Sequence, residues 1–215
     1  MRTIFDRHSD SYAKYYNLTE YLAVYEIIVF FKVGVVFKQY IPKKHKQFGI
    51  KLYQMWYSKG YTDIMTMYLG RDRKHATPSM TATHVTVRGL AARIEHLGHQ
   101  LYVGNFFLSP ALFDNLHTKT VYCCGTVRPN RKGMPKNFGH KMKVKRVYLK
   151  TKVKGNLTAI EWKDKRNVNI LMNMHFSPLE GNFCDEQGKA VKPVIIHNCN
   201  SLMEYVDESD YTLLY

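Results

Sequence analysis

No apolar run in this chain is long enough to cross a bilayer. The stretch around Val29 is bounded by Glu26 and Lys32 and falls far short of the roughly 20 apolar residues a spanning helix needs. Met1–His8 carries no apolar core of the kind an export signal has. Without export, the acceptor-like triplets Asn17-Leu-Thr and Asn156-Leu-Thr are chance matches. Cysteine is scarce: Cys123, Cys124, Cys184 and Cys199, with no pair at two-residue ligand spacing. That spacing argues against a zinc site and a disulfide framework, and the four read as reduced thiols in an intracellular protein. Glycine-rich phosphate loops, internal repeats and low-complexity segments are missing.

Acidic residues are the most informative shortage. There are 17 Asp plus Glu against 32 Lys plus Arg, a net charge of +15. Such an imbalance points to a polyanionic partner, most simply nucleic acid. The charge is also clustered. Between Asp114 and Glu161 there is no acid at all, while Lys119, Arg128, Arg131, Lys132, Lys136, Lys141, Lys143, Lys145, Arg146, Lys150, Lys152 and Lys154 all fall there. That density suits a surface meeting phosphates better than a self-packing one. Lys43, Lys44 and Lys46, in a Pro-containing bend, form a second basic group.

What is present is enough for a real core: 45% of the 215 residues are apolar, which fits one domain or one with an insertion. Ile4–Tyr16 reads as a short helix with Phe5, Tyr12 and Tyr16 on one face. Ile27–Phe31 is β-branched and aromatic, as in a strand buried on both faces. Phe48–Trp56 reads as a second strand, Ser58-Lys59-Gly60 as a turn, and Tyr61–Leu69 as a third strand antiparallel to the second. A polar loop over 71–78 precedes a helix from Met80 to about Leu97, capped by Ser79, with Val85, Leu90, Ala91 and Ile94 inward and Gly98 ending it. Gln100–Gly104 is a strand. Ser109 as cap and Pro110 at the first helical position start a helix to Leu116. Thr120–Val127 is another strand, and Leu157–Met172 a hairpin turning at 164–167. Pro178–Ala190 reads as loop, Val191–Ile196 as a last strand, and Asn200 onward as a helix start. Trp56 and Trp162 fall in strand patterns and read as core. His96 and His99 read as cap or surface residues. Pattern alone gives α/β or α+β.

Several blocks together resemble the piggyBac-type transposases of the DDE superfamily. They are Glu26-Ile-Ile…Phe31-Lys…Phe37-Lys-Gln-Tyr-Ile-Pro-Lys-Lys…Phe48-Gly-Ile-Lys-Leu52, His99–Phe113, Cys124–Pro135, Gly155–Lys165 and Lys192–Asp210. The resemblance implies a ribonuclease H-like mixed sheet with flanking helices and a basic β-rich insertion. It suggests a core over 1–128, the insertion over 129–192, and a return to the core over 193–215. It also implies phosphodiester chemistry on two metal ions clamped by three carboxylates, Mg2+ in active members. Tyr25 stands where the first carboxylate belongs and Gly104 where the second does. Asp207 keeps the third, with Asp210 beside it. Glu26 is no substitute, because adjacent strand side chains point to opposite faces; Asn105 is uncharged. Asp207 and Asp210 are the candidates for a weakly held cation; read as residues alone, they make an exposed acidic turn. The family's upstream DNA-binding region and Cys-rich zinc module are not expected within this sequence.

The expectation is therefore a nuclear, piggyBac-derived DNA-binding remnant without strand-transfer activity or a resident cofactor. Its DNA contacts are expected from Lys43, Lys44, Lys46, Arg128, Arg131, Lys132, Lys136, Lys141, Lys143, Lys145 and Arg146. The competing readings are an active metal-dependent transposase or nuclease, and a decayed copy with no selected role.

Overall fold

β-Branched and aromatic residues at alternating positions build the first half of the chain around one long antiparallel pair. The computed structural model describes residues 7, 11, 19–32, 34–42, 47–57, 62–69, 80–139, 147–163, 166–174 and 181–212, with the side chains of 57, 63, 182 and 204–212 also left aside. The helix expected over 4–16 lies outside these except for Arg7 and Ser11, both helical, and the polar loop over 71–78 lies outside them entirely. The chain divides into two compact units: 1–93 with 202–215, and 94–201.

In the first unit β1 (Tyr21–Phe30) runs antiparallel to β3 (Phe48–Tyr57), in register from Leu22↔Tyr57 to Phe30↔Gly49. β2 (Gln39–Tyr40) pairs with the start of β3, and β4 (Thr62–Met67) pairs further along it, past a register shift at Met55/Trp56. Directly opposed residues share a face, so Tyr25, Ile27 and Val29 stand with Gln54, Leu52 and Ile50 on one side. Val24, Glu26 and Ile28 stand with Met55, Tyr53 and Lys51 on the other. Gly49 is required by the crossing: a Cβ there would overlap the Val29 carbonyl oxygen. Helix α1 (Ala82–Ala91) packs on β3 and β4. Its cap is Thr81, whose side chain accepts from the His84 N–H at 3.3 Å, not the expected Ser79. The buried stripe is His84, Val87, Leu90 and Ala91, continued by Ile94 in a 3-10 turn, and Val85 is only half-buried.

The second unit holds a mixed sheet in the order β10-β7-β8-β9-β6-β5. Its strands are β5 (Gln100–Val103), β6 (Tyr122–Thr126), β7 (Tyr148–Lys154), β8 (Leu157–Lys163), β9 (Asn167–Met172) and β10 (Gly181–Asn182). β5 and β6 are parallel, joined by helix α2 (Pro110–His117), which packs on β6 and β8. The remaining pairs are antiparallel. Ser109 caps α2 with Pro110 in its first turn, as the sequence requires. Trp162 in this unit and Trp56 in the first are both buried, as expected of core. Asn173, at the end of β9, is buried and ties three segments together. Its Oδ1 accepts from the Cys123 N–H, and its Nδ2 donates to the Phe113 and Val121 carbonyls at 2.9 and 3.3 Å.

One element is added and one expectation changes. Tyr148–Lys154, to which the sequence reading assigned no element, forms β7 against β8. The last short strand expected at Val191–Ile196 is instead the start of a long helix, α3 (Val194–Thr212). Pro193 is the reason: its carbonyl accepts from the Ile196 and His197 N–H groups at 2.9 and 3.0 Å, which opens the first helical turn.

Candidate functional site

Tyr25, expected at the first carboxylate position, lies on β1. Tyr25 packs half-buried against an apolar cluster of Ile27, Ile50 and Leu52, together with Val29, Phe31, Phe37, Met65 and Met67. A phenol fits such a surface; an ionised carboxylate there would lose hydration without a compensating ligand. Glu26 points the other way, and its carboxylate is ion-paired with Lys51 of β3. The pair is largely sheltered, at 16% and 8% side-chain exposure, so neither charge is free to serve elsewhere. Lys51 Nζ also stands 5.1 Å from the Tyr53 ring and 5.7 Å from the Tyr68 ring, and those two rings meet edge-on at 5.8 Å. Burial, then the Glu26 charge, then Tyr68 push the Tyr53 phenol well above its ordinary range.

The second carboxylate position, Gly104, follows β5 directly and is buried. Its carbonyl accepts from the Phe107 N–H at 3.1 Å, closing a turn that delivers Ser109 to cap α2 through the Leu112 N–H at 3.3 Å. Asn105 and Phe106 are exposed on that turn. Arg131 Nη2 donates to their carbonyls, to Asn105 O at 2.9 Å and Phe106 O at 2.6 Å. Arg131 thus braces the turn as well as adding charge. The third position, Asp207, and its neighbour Asp210 lie in α3, so the expected acidic turn is helix.

The basic candidates divide unequally. Lys43, Lys44, Lys46, Lys141, Lys143, Lys145 and Arg146 lie outside the described residues. Arg128, Arg131, Lys132 and Lys136 sit together on the loop after β6, and all but Arg131 are exposed. That loop is a chain of turns, with Arg131 N–H to Arg128 O, Met134 N–H to Arg131 O and Phe138 N–H to Pro135 O all at 3.1 Å. Buried Phe138 anchors its end. Lys152 of β7 donates to the Lys136 carbonyl at 3.0 Å, which brings the strand's lysines beside the loop. A groove of about 480 Å³ lies under it, lined by Pro110, Met134, Pro135, Val153, Leu157 and Leu171. Its volume suits a small molecule rather than a polyanionic chain.

Sequence reading missed one pair. Cys124 in β6 and Cys199 in α3 are both buried, with each thiol in the other's electrostatic reach. The Cys199 thiol, then burial, pushes the Cys124 thiol far above its usual range. Seventy-five residues separate the two in sequence (199 − 124), so spacing gave no signal. Among the described residues no three His, Cys, Asp or Glu are placed to share a metal ion.

This mixed sheet with its helices is that of a DDE transposase. The family described as Transposase IS4 matches residues 1–213, and the chain belongs to it. A solved structure, a piggyBac transposase synaptic complex with hairpin DNA, superposes with a TM-score of 0.85 at 23% identity. The match covers 98% of this chain and 44% of that one, so the chain has the piggyBac transposase fold over less than half the relative's length.

Proposed function

We propose that this chain is a transposase-derived DNA-binding protein that performs no metal-dependent strand transfer, and that it acts in the nucleus. The observation that carries the catalytic half is the state of β1. Tyr25 is committed to the Ile27–Ile50–Leu52 surface, and the adjacent carboxylate, Glu26, is turned to the opposite face and held by Lys51. Magnesium takes oxygen ligands, chiefly carboxylates with substrate phosphates. Tyr25 and Gly104 bring no carboxylate, so the residues at two of the three positions do not fit the family's ion pair. DNA binding is supported by the net charge of +15 and by the exposed Arg128, Lys132 and Lys136. The solved relative is a complex with hairpin DNA, which fits that reading.

The test is a cleavage and strand-transfer assay with Mg2+ on DNA carrying transposon ends, with Asp207→Ala as control. No product above background is expected. Product that disappears in Asp207→Ala would establish a working metal site and overturn the proposal. A gel-shift titration over salt tests the other half, and binding that is absent at low salt would remove it.

A further inference from the structure

The hairpin formed by β2 and β3 carries an exposed pair of aromatic rings with no place in the carboxylate site. Tyr40 and Phe48 are directly opposed, and their rings stack at 4.6 Å with 29° between planes. Both remain open to solvent, at 58% and 49% exposure. A cross-strand pair that served the core alone would be covered. Lys38 Nζ stands 5.6 Å from the Phe48 ring and is steadied by the Lys32 carbonyl at 3.1 Å. The surrounding sequence is basic throughout. Between Glu26 and Asp63 there is no acid, while Lys32, Lys38, Lys43, Lys44, Lys46, Lys51 and Lys59 fall there. The segment joining the two rings, Ile-Pro-Lys-Lys-His-Lys-Gln, is part of that run.

We propose that Tyr40 and Phe48 form a stacking platform for an unpaired nucleic-acid base, with Lys38 set to meet the neighbouring phosphate. The combination of a flat aromatic face and flanking cations is what a single strand needs, since every base offers a π-face and every linkage a negative charge. A protein partner of apolar character would gain nothing from the lysines. A duplex buries its base faces, so it can use the charge but not the rings. The proposal rests on the DNA-binding reading above and adds which strand state this surface selects.

Fluorescence anisotropy on the full chain tests it, with labelled oligo-dT and a blunt duplex of equal phosphate count as the two probes. Tyr40→Ala and Phe48→Ala are expected to weaken single-strand binding about tenfold while duplex binding changes less than twofold. Tyr40→Leu keeps apolar bulk without the aromatic face and should behave like the alanine variant; Tyr40→Trp should restore binding. Circular dichroism melts confirm that each variant is folded. Equal losses on both probes, or no loss on oligo-dT, overturn the platform while leaving DNA binding intact. A parent chain that binds neither probe sinks both readings. Self-association that depends on Tyr40, with oligo-dT binding unchanged, assigns the rings to a second copy and also overturns the proposal.

Discussion

Tyr25 and Glu26 are neighbours in sequence with opposite obligations, one to an apolar cluster and one to Lys51. Their opposition was legible from strand alternation. The identity of Lys51 was not, because the diagonal Glu26–Lys51 contact depends on the β1–β3 register. Removing one charge of a sheltered pair strands the other, so Lys51→Met should cost about 3 kcal/mol, read as a shift in the denaturant midpoint. Glu26→Gln combined with Lys51→Met should recover part of that loss; a double variant no better than Lys51→Met would show that the lysine acts through its contacts with Tyr53 and Tyr68 instead. The Tyr53 phenol gives a pH signature. The folded chain keeps the proton that the unfolded chain releases at about pH 10, so stability falls as pH rises past that point. Tyr53→Phe should flatten this part of the alkaline slope. Asn173 was invisible in the sequence because a lone Asn says nothing of three distant backbone partners. Its replacement by alanine removes three buried hydrogen bonds and leaves the Cys123 N–H without its side-chain acceptor, at a cost of about 3 kcal/mol in thermal or chemical unfolding.

At the level of elements, the parts with local signals were readable. The β3–β4 and β8–β9 hairpins and the Ser109–Pro110 start of α2 follow from turn and cap chemistry, whereas α1 ends at Ala91 and a 3-10 turn at Ile94, short of the expected stop at Gly98. β7 was hidden by its composition: Lys150, Lys152 and Lys154 alternate with Thr151 and Val153, and the sheet accepts them because the strand's end is exposed. The start of α3 was misread because the β-branched Val191, Val194, Ile195 and Ile196 suit either a strand or a buried helix turn, and Pro193 decides between them. The β1–β3 crossing depends on a residue without a side chain. Gly49→Ala must push the Val29 carbonyl aside, so a loss of at least about 2 kcal/mol is expected in equilibrium unfolding. A variant as stable as the parent would mean that the two strands separate at little cost.

Over the whole molecule, charge is the property the sequence states most openly, and the proposal for Tyr25 and Gly104 needed the family resemblance before those residues meant anything. If the loop after β6 meets phosphates, the logarithm of affinity should fall linearly with the logarithm of salt. Replacing Arg128, Lys132 and Lys136 together with Gln should flatten that slope by up to about 3, roughly one for each contact removed. An unchanged slope would place the phosphate contacts elsewhere.

The turn-rich loop after β6 also carries its own reporter. Lys132 and Lys136 are trypsin sites on exposed backbone turns, between the buried Val127 and Phe138. Limited digestion should nick the chain there early, and a bound polyanion should shield those bonds. Comparing peptide ladders with and without DNA would map the footprint on an unlabelled, unmutated chain.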